Sequence, residues 1–297
     1  MVAPDLPVAP RREPRRLNGV AVQALAIVLL LVAGLVRVAV VRHDNGAAVT
    51  LRPALVGAAP AAARKQRTAR GELTITLNAA RTVTERGTGE FDFANSRSAF
   101  DFDLGEVVAS TGAPRNLSMV SDATRLWVHV PASRTSLNGG KPWVVVDAPL
   151  KAAGITPDVT SDPSKILDRL TLAGGTAVEV GREDVRGVPT VKYHFEVPVE
   201  PLFAQLAPTF RDRAVEVFKD AGIETLGYDV WLDRDGLPRK ISNELALGPL
   251  TATTTFELFD YGRPVTITVP SDAETRSAPS LGDAMRIVGL PTAGLTG

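Results

Sequence analysis

From Gly71 to about residue 270, apolar residues recur at every second position over much of the chain, and that period limits the fold more than any other feature. A strand turns successive side chains to opposite faces, so alternation marks segments with one buried and one wetted face. Leu73, Ile75 and Leu77 alternate with Thr74 and Thr76. Phe91 and Phe93 flank Asp92, and Phe100, Phe102 and Leu104 flank Asp101 and Asp103, with a turn over Ala94–Ser98 between the two runs. Leu126, Val128 and Val130 oppose Trp127 and His129, while Trp143–Val146 is apolar on both faces. Strands resume at Val178 and Val180, then at Val191, Tyr193, Phe195 and Val197. Three more follow: Tyr228, Val230 and Leu232; then Ile241, Leu245 and Leu247; then Thr251–Tyr261. Val265–Val269 predicts a last, shorter strand.

Two interruptions change the period. Asp162–Leu170 predicts a short helix, with Asp162 as cap and Pro163 in its first position. Glu200–Ala221 predicts a longer one, bearing Leu202, Phe203, Leu206, Phe210, Ala214, Val217 and Phe218 at helical spacing, kinked or divided at Pro208. Short strand-to-strand connections and no β-α-β alternation predict an α+β fold: one large, curved, antiparallel sheet with helices on one face.

Upstream lies a different kind of segment. Residues 17–41 are almost wholly apolar, and from Val20 to Val36 only Gln23 is polar. That run spans about 25 Å as a helix, and Val38–Val41 extend it toward the roughly 30 Å of a hydrocarbon core. It exceeds a signal-peptide core, and Arg37, Arg42 and His43 separate it from any small-residue cleavage site; Gly57–Ala63 could be cut but lies far downstream. The expectation is one transmembrane helix. Arg11, Arg12, Arg15 and Arg16 place the N-terminus in the cytoplasm and the rest outside. The resulting organisation is a cytoplasmic tail at 1–16, a membrane helix at 17–41, a mobile tether at 42–70, an ectodomain at 71–270 and a mobile tail at 271–297.

The chemistry of the chain is sparse. Thirty-three basic residues balance 33 acidic ones, so no broad cationic surface for nucleic acid is implied. There is no cysteine, which excludes disulfides and thiolate chemistry, and three histidines are poor material for a metal site. No nucleophile elbow, zinc motif, phosphate loop or dinucleotide fingerprint occurs. Asp101 and Asp103 read as the wet face of a strand and His194 as a surface or hydrogen-bonded histidine. Asp233–Gly236 reads as a hairpin turn, not a calcium loop. The expectation is no catalytic residue, no metal and no cofactor. The alternation itself fits a filled core and an apolar ligand cavity equally well.

The order of three segments carries a family resemblance. The Asp162-Pro163-Ser164-Lys165-Ile166-Leu167 helix comes first, then Val178–Tyr193 with its Val185-Arg186-Gly187-Val188-Pro189 turn. After a helix comes Val230-Trp231-Leu232-Asp233-Arg234-Asp235-Gly236-Leu237-Pro238-Arg239-Lys240. Over about residues 71–270 this resembles the LppX/LprG-type actinobacterial envelope lipoproteins, which have a LolA-like lipid-carrier fold. The resemblance implies a strongly curved half-barrel wrapped around helices that encloses acyl chains and handles lipids or lipoglycans in the cell envelope. Those lipoproteins carry a lipidated cysteine. This chain has none, so the 17–41 helix would take the place of the lipid tether.

The combined expectation is a single-pass membrane protein with an extracytoplasmic domain that binds a lipid or other acyl-chain ligand. On alternation, the walls would be Leu73, Ile75, Phe91, Phe93, Phe100, Phe102, Val128, Val191, Phe195, Phe203, Phe210, Tyr228, Val230 and Phe256. The alternative is an envelope sensor or scaffold of the same fold, with a closed core and a protein partner. A hydrolase using Asp101, Asp103 or His194 is the remaining reading.

Overall fold

The computed structural model describes residues 53–79, 81–105, 114–146, 163–164, 166–168, 176–204, 208–247 and 250–290. Residues 17–41 lie outside this set. Among the described residues no helix is long and apolar enough to cross a membrane.

Twelve strands form one sheet: β1 (Thr68–Asn78), β2 (Thr82–Asp92), β3 (Arg97–Asp103), β4 (Asn116–Ser121), β5 (Leu126–His129), β6 (Trp143–Val145), β7 (Thr176–Val185), β8 (Val188–Pro198), β9 (Thr225–Asp233), β10 (Pro238–Leu247), β11 (Leu250–Phe259) and β12 (Thr275–Ser277). Their spatial order is β12-β6-β5-β4-β3-β2-β1-β11-β10-β9-β8-β7. Every pairing is antiparallel except β12 with β6. The sheet is thus two antiparallel meanders joined where β1 meets β11, with Leu73 opposite Phe256.

A flat sheet of this many strands would be about 50 Å wide at ~4.8 Å per strand. Yet Val144 near one edge and Phe195 near the other belong to a single buried cluster. One apolar face therefore runs across the sheet, and the helices lie against it. Among the described residues they include α1 (Pro53–Lys65), α2 (Val199–Phe203), α3 (Pro208–Asp220) and α4 (Leu281–Val288), with a short helical stretch at 166–168.

The turns follow local chemistry. Asp92 accepts from the Asn95 backbone N–H and side-chain amide at 3.1 and 2.7 Å, closing β2 onto β3. Arg186 and Gly187, both at positive φ, make the tight β7–β8 turn. Asp233 accepts from the backbone N–H groups of Asp235 and Leu237, each at 2.9 Å, and from Arg239 Nε at 2.7 Å. That carboxylate is consumed by its own hairpin.

Four stretches differ from the reading of the sequence. The tether contains α1, whose Val56, Ala59 and Ala63 are buried in the core. Alanines favour a helix and let it approach the sheet closely, even with Pro60 inside it. The C-terminal tail contains β12 and α4; Ser280 caps α4 at the Asp283 N–H, and Ala284, Met285, Ile287 and Val288 are buried. Residues 265–269 form no strand. They cross the outer face of the sheet, where Ile267 and Val269 pack against Val120, Trp127 and Val145. Finally, β2 begins at Thr82, well before Phe91. The long helix is divided as Pro208 requires, with Pro208 opening α3.

Candidate functional site: the inner face of the sheet

The inner face is built from cross-strand rows. One row runs Tyr193, Val230, Ile241, Phe256, Leu73, Gly87 and Phe102, from β8 through to β3. Another runs Leu245, Ala252, Leu77 and Val83 over β10, β11, β1 and β2. Both are apolar except for Tyr193.

Between these two rows lies a third: Phe195, Tyr228, Asn243, Thr254, Ile75 and Glu85. Tyr228 and Glu85 are buried, and Asn243 and Thr254 are half-buried. The Asn243 Nδ2 is buried and has no hydrogen-bond partner among the described residues.

The aromatic end of the site depends on glycines. Phe91 lies 5.7 Å from Phe256, 6.1 Å from Phe100 and 6.2 Å from Phe93, ring centre to ring centre, and Phe100 lies 4.6 Å from Phe102. These rings lie down on Gly71, Gly87 and Gly89. A Cβ on Gly87 would stand 2.5 Å from Phe100 Cε1 and 2.7 Å from Phe102 Cδ1. The glycines thus make room for rings that cover them, and β2 contributes backbone where its neighbours contribute side chains.

The structure brings the expected wall residues together. Leu73, Ile75, Phe91, Phe93, Phe102, Phe195, Phe203, Tyr228, Val230 and Phe256 are buried in one cluster, with Phe100, Val128 and Val191 packed against it. Phe210 lies on α3; its side chain is outside the described set. Asn243, Thr254 and Glu85 were not among the expected walls. They sit at inner positions of alternating strands, but a search for apolar residues passes over them.

From inside, α1 lies near β7 and β10, and α4 packs beside the turn-like segment Ala132–Asn138 and β6. Phe203 of α2 stacks on Phe218 of α3 at 5.4 Å. Between α2 and α3 is a cleft of about 610 Å³. Pro201, Ala204 and Val215 line it together with Arg211, Glu216 and Lys219. Val215 also packs against the core.

The outer face is charged. His194 Nδ1 and Lys192 Nζ each lie 2.8 Å from an oxygen of Asp229. Burial alone would raise the Asp229 pKa; the hydrogen bonds from His194 and Lys192, and their charges, outweigh it and hold the carboxyl below its usual range. Lys192 and Lys240 lie over the Trp231 ring at 4.9 and 4.3 Å. Arg186, from the β7–β8 turn, reaches Glu257 and Glu72 at 2.6 Å each and covers Phe259 at 4.2 Å. Asp101 accepts from Ser118 and Asp103 from Arg115, both exposed. His194, Asp101 and Asp103 do not converge, and among the described residues no group of three or more His, Cys, Asp or Glu could hold a metal ion.

No family model matches this chain. A relative in Streptomyces griseus, an uncharacterized 31.2 kDa protein in the rplA-rplJ intergenic region, is 26% identical over 186 residues, 58% of this chain; the chain spans 60% of that relative's length. Among solved structures, the chain is similar to lipoprotein LppX of Mycobacterium tuberculosis, at a TM-score of 0.44 and 11% identity over 73% of this chain and 100% of that one. It is also similar to LprF of Mycobacterium bovis, at a TM-score of 0.42 and 12% identity over 74% of this chain and 96% of that one.

Proposed function

We propose that this chain is a membrane-anchored, extracytoplasmic protein that holds a lipid or other acyl-chain ligand between the sheet and its helices. The observation that carries the reading is the inner face itself. Among the described residues, twelve strands form one sheet with short helices against it, and one apolar cluster runs from Val144 to Phe195 across that face. On this reading an acyl chain shares that interior with the side chains. Each CH₂ buried there contributes about 0.8 kcal/mol. On this reading the cleft between α2 and α3, walled in part by the core-packed Val215, is the way in.

The segment 17–41 would hold the domain at the membrane, with the N-terminus in the cytoplasm. A catalytic role is not part of the proposal: His194, Asp101 and Asp103, the residues considered for one, are engaged on the outer face and do not converge. A protein partner in the envelope is compatible with lipid handling and is the natural receiver or donor of the ligand.

The test is lipid extraction from the full chain purified out of membranes in mild detergent, with mass spectrometry of the extract. The expected result is one acyl lipid in near-stoichiometric amount, depleted in a Val215→Trp variant that fills the cleft. An extract no richer in lipid than that of an unrelated single-pass protein would refute the reading. A stoichiometric protein partner and no lipid would instead favour a sensor or scaffold.

A further inference from the structure

The inner face is not uniformly apolar, and its exception is ordered. Tyr228, Asn243, Thr254 and Glu85 occupy one cross-strand row, interrupted only by Ile75, with apolar rows on both sides. A buried amide donor without a partner is costly, and cores seldom keep one. Among the described residues the Asn243 Nδ2 is such a donor. Its neighbours along the strand, Ile241 and Leu245, are buried apolar residues, so the position faces inward. Among the described residues α1 lies near β10, and its composition offers no side-chain acceptor there. Apart from Arg64 and Lys65 at its end, α1 is composed of Pro, Ala, Leu, Val and Gly.

Resting on the lipid-binding reading, we propose that this row is a recognition layer within the cavity. Asn243 donates through Nδ2 to an oxygen acceptor on the lipid, the carbonyl of an ester being the class that fits neutral donors, the Asn243 amide between the Tyr228 and Thr254 hydroxyl groups, set between apolar walls. Hydrocarbon lies against the rows on either side, and the oxygen fixes how far the ligand enters. The cavity therefore selects ester-bearing lipids over plain hydrocarbon. Asn243 sets that choice, as a specificity residue and not a catalytic one.

The experiment uses the full chain, immobilised in detergent and delipidated by washing. It is offered equal amounts of methyl hexadecanoate and heptadecane, and the retained compounds are quantified by gas chromatography. The expected result is a preference for the ester of roughly five-fold, the size of one neutral hydrogen bond. In Asn243→Leu the preference falls to about one-fold while heptadecane is still retained. Asn243→Ser, which keeps a donor, restores part of it. Removing an unpaired donor does not harm folding, so an unchanged or higher melting temperature of Asn243→Leu accompanies the loss. Equal retention of the two compounds by the wild type, or a preference that survives in Asn243→Leu, overturns this inference alone. Retention of neither compound overturns the lipid-binding reading and this inference with it.

Discussion

The two faces of this sheet are held by different forces. Inside, Phe91, Phe100, Phe102 and Phe256 pack on Gly71, Gly87 and Gly89, and fit decides what can be there. Outside, Arg186 joins three segments remote in sequence, and Asp229 joins β9 to two side chains of β8. Contacts of the first kind lose energy with every atom removed or added. Those of the second kind exchange readily with water and salt. Under the proposed function, the inner walls fix the shape of the ligand's place, while the outer ion pairs hold neighbouring segments together.

The comparison can be broken by substitution, with melting or denaturant unfolding of the full chain as the measurement. Phe91→Ala should cost the most, roughly 3–5 kcal/mol, because it removes a fully buried ring that touches three others. Gly87→Val should come next, at roughly 1–3 kcal/mol, since its side chain enters the space of Phe100 and Phe102. Arg186→Met should cost about 1 kcal/mol, leaving Glu72 and Glu257 to face each other half-exposed. An Arg186 variant more damaging than Phe91→Ala would invert the assignment of forces to faces.

The smallest effect should be that of Asp229→Asn, under about 1 kcal/mol near neutral pH. Its sign with pH is fixed. The Asp229 pKa is lowered on folding, so its contribution is present above the unfolded carboxylate range and is lost as pH falls through the folded value. The gap in melting temperature between wild type and Asp229→Asn should therefore close on acidification. A gap that widens with acid would contradict the pairing.

How far the sequence disclosed this depends on which residues a strand carries. Strands with Leu, Ile or Phe at alternate positions, such as Leu73–Leu77 and Phe100–Phe102, were legible from period alone. The beginning of β2 was not. Its inner positions are Val83, Glu85, Gly87 and Gly89, and the apolar surface there belongs to rings from β2's own Phe91 and from β3. Helix α1 escaped for a related reason: its buried face is Val56, Ala59 and Ala63, too small to mark a periodic stripe. At residues 265–269 the alternation was real, but Ile267 and Val269 use it to cover Trp127 without joining the sheet. The pairing of β1 with β11 and of β12 with β6 has no local signature at all. Nor does the polar row, which becomes visible only once the register sets Asn243 beside Thr254 and Tyr228.

The central claim is that the inner face, and not the outer, meets lipid. The most direct measurement is photolabelling of the full chain in membranes with a diazirine-bearing fatty acid, followed by peptide mapping. Segment 17–41, which we propose lies in the bilayer, serves as the internal control. The account predicts ectodomain labels on β2, β3 and β11, at peptides containing Phe91, Phe102 and Phe256, suppressed by excess unlabelled lipid. Labels confined to 17–41, or ectodomain labels at Trp231 and Trp127 on the outer face, would contradict it.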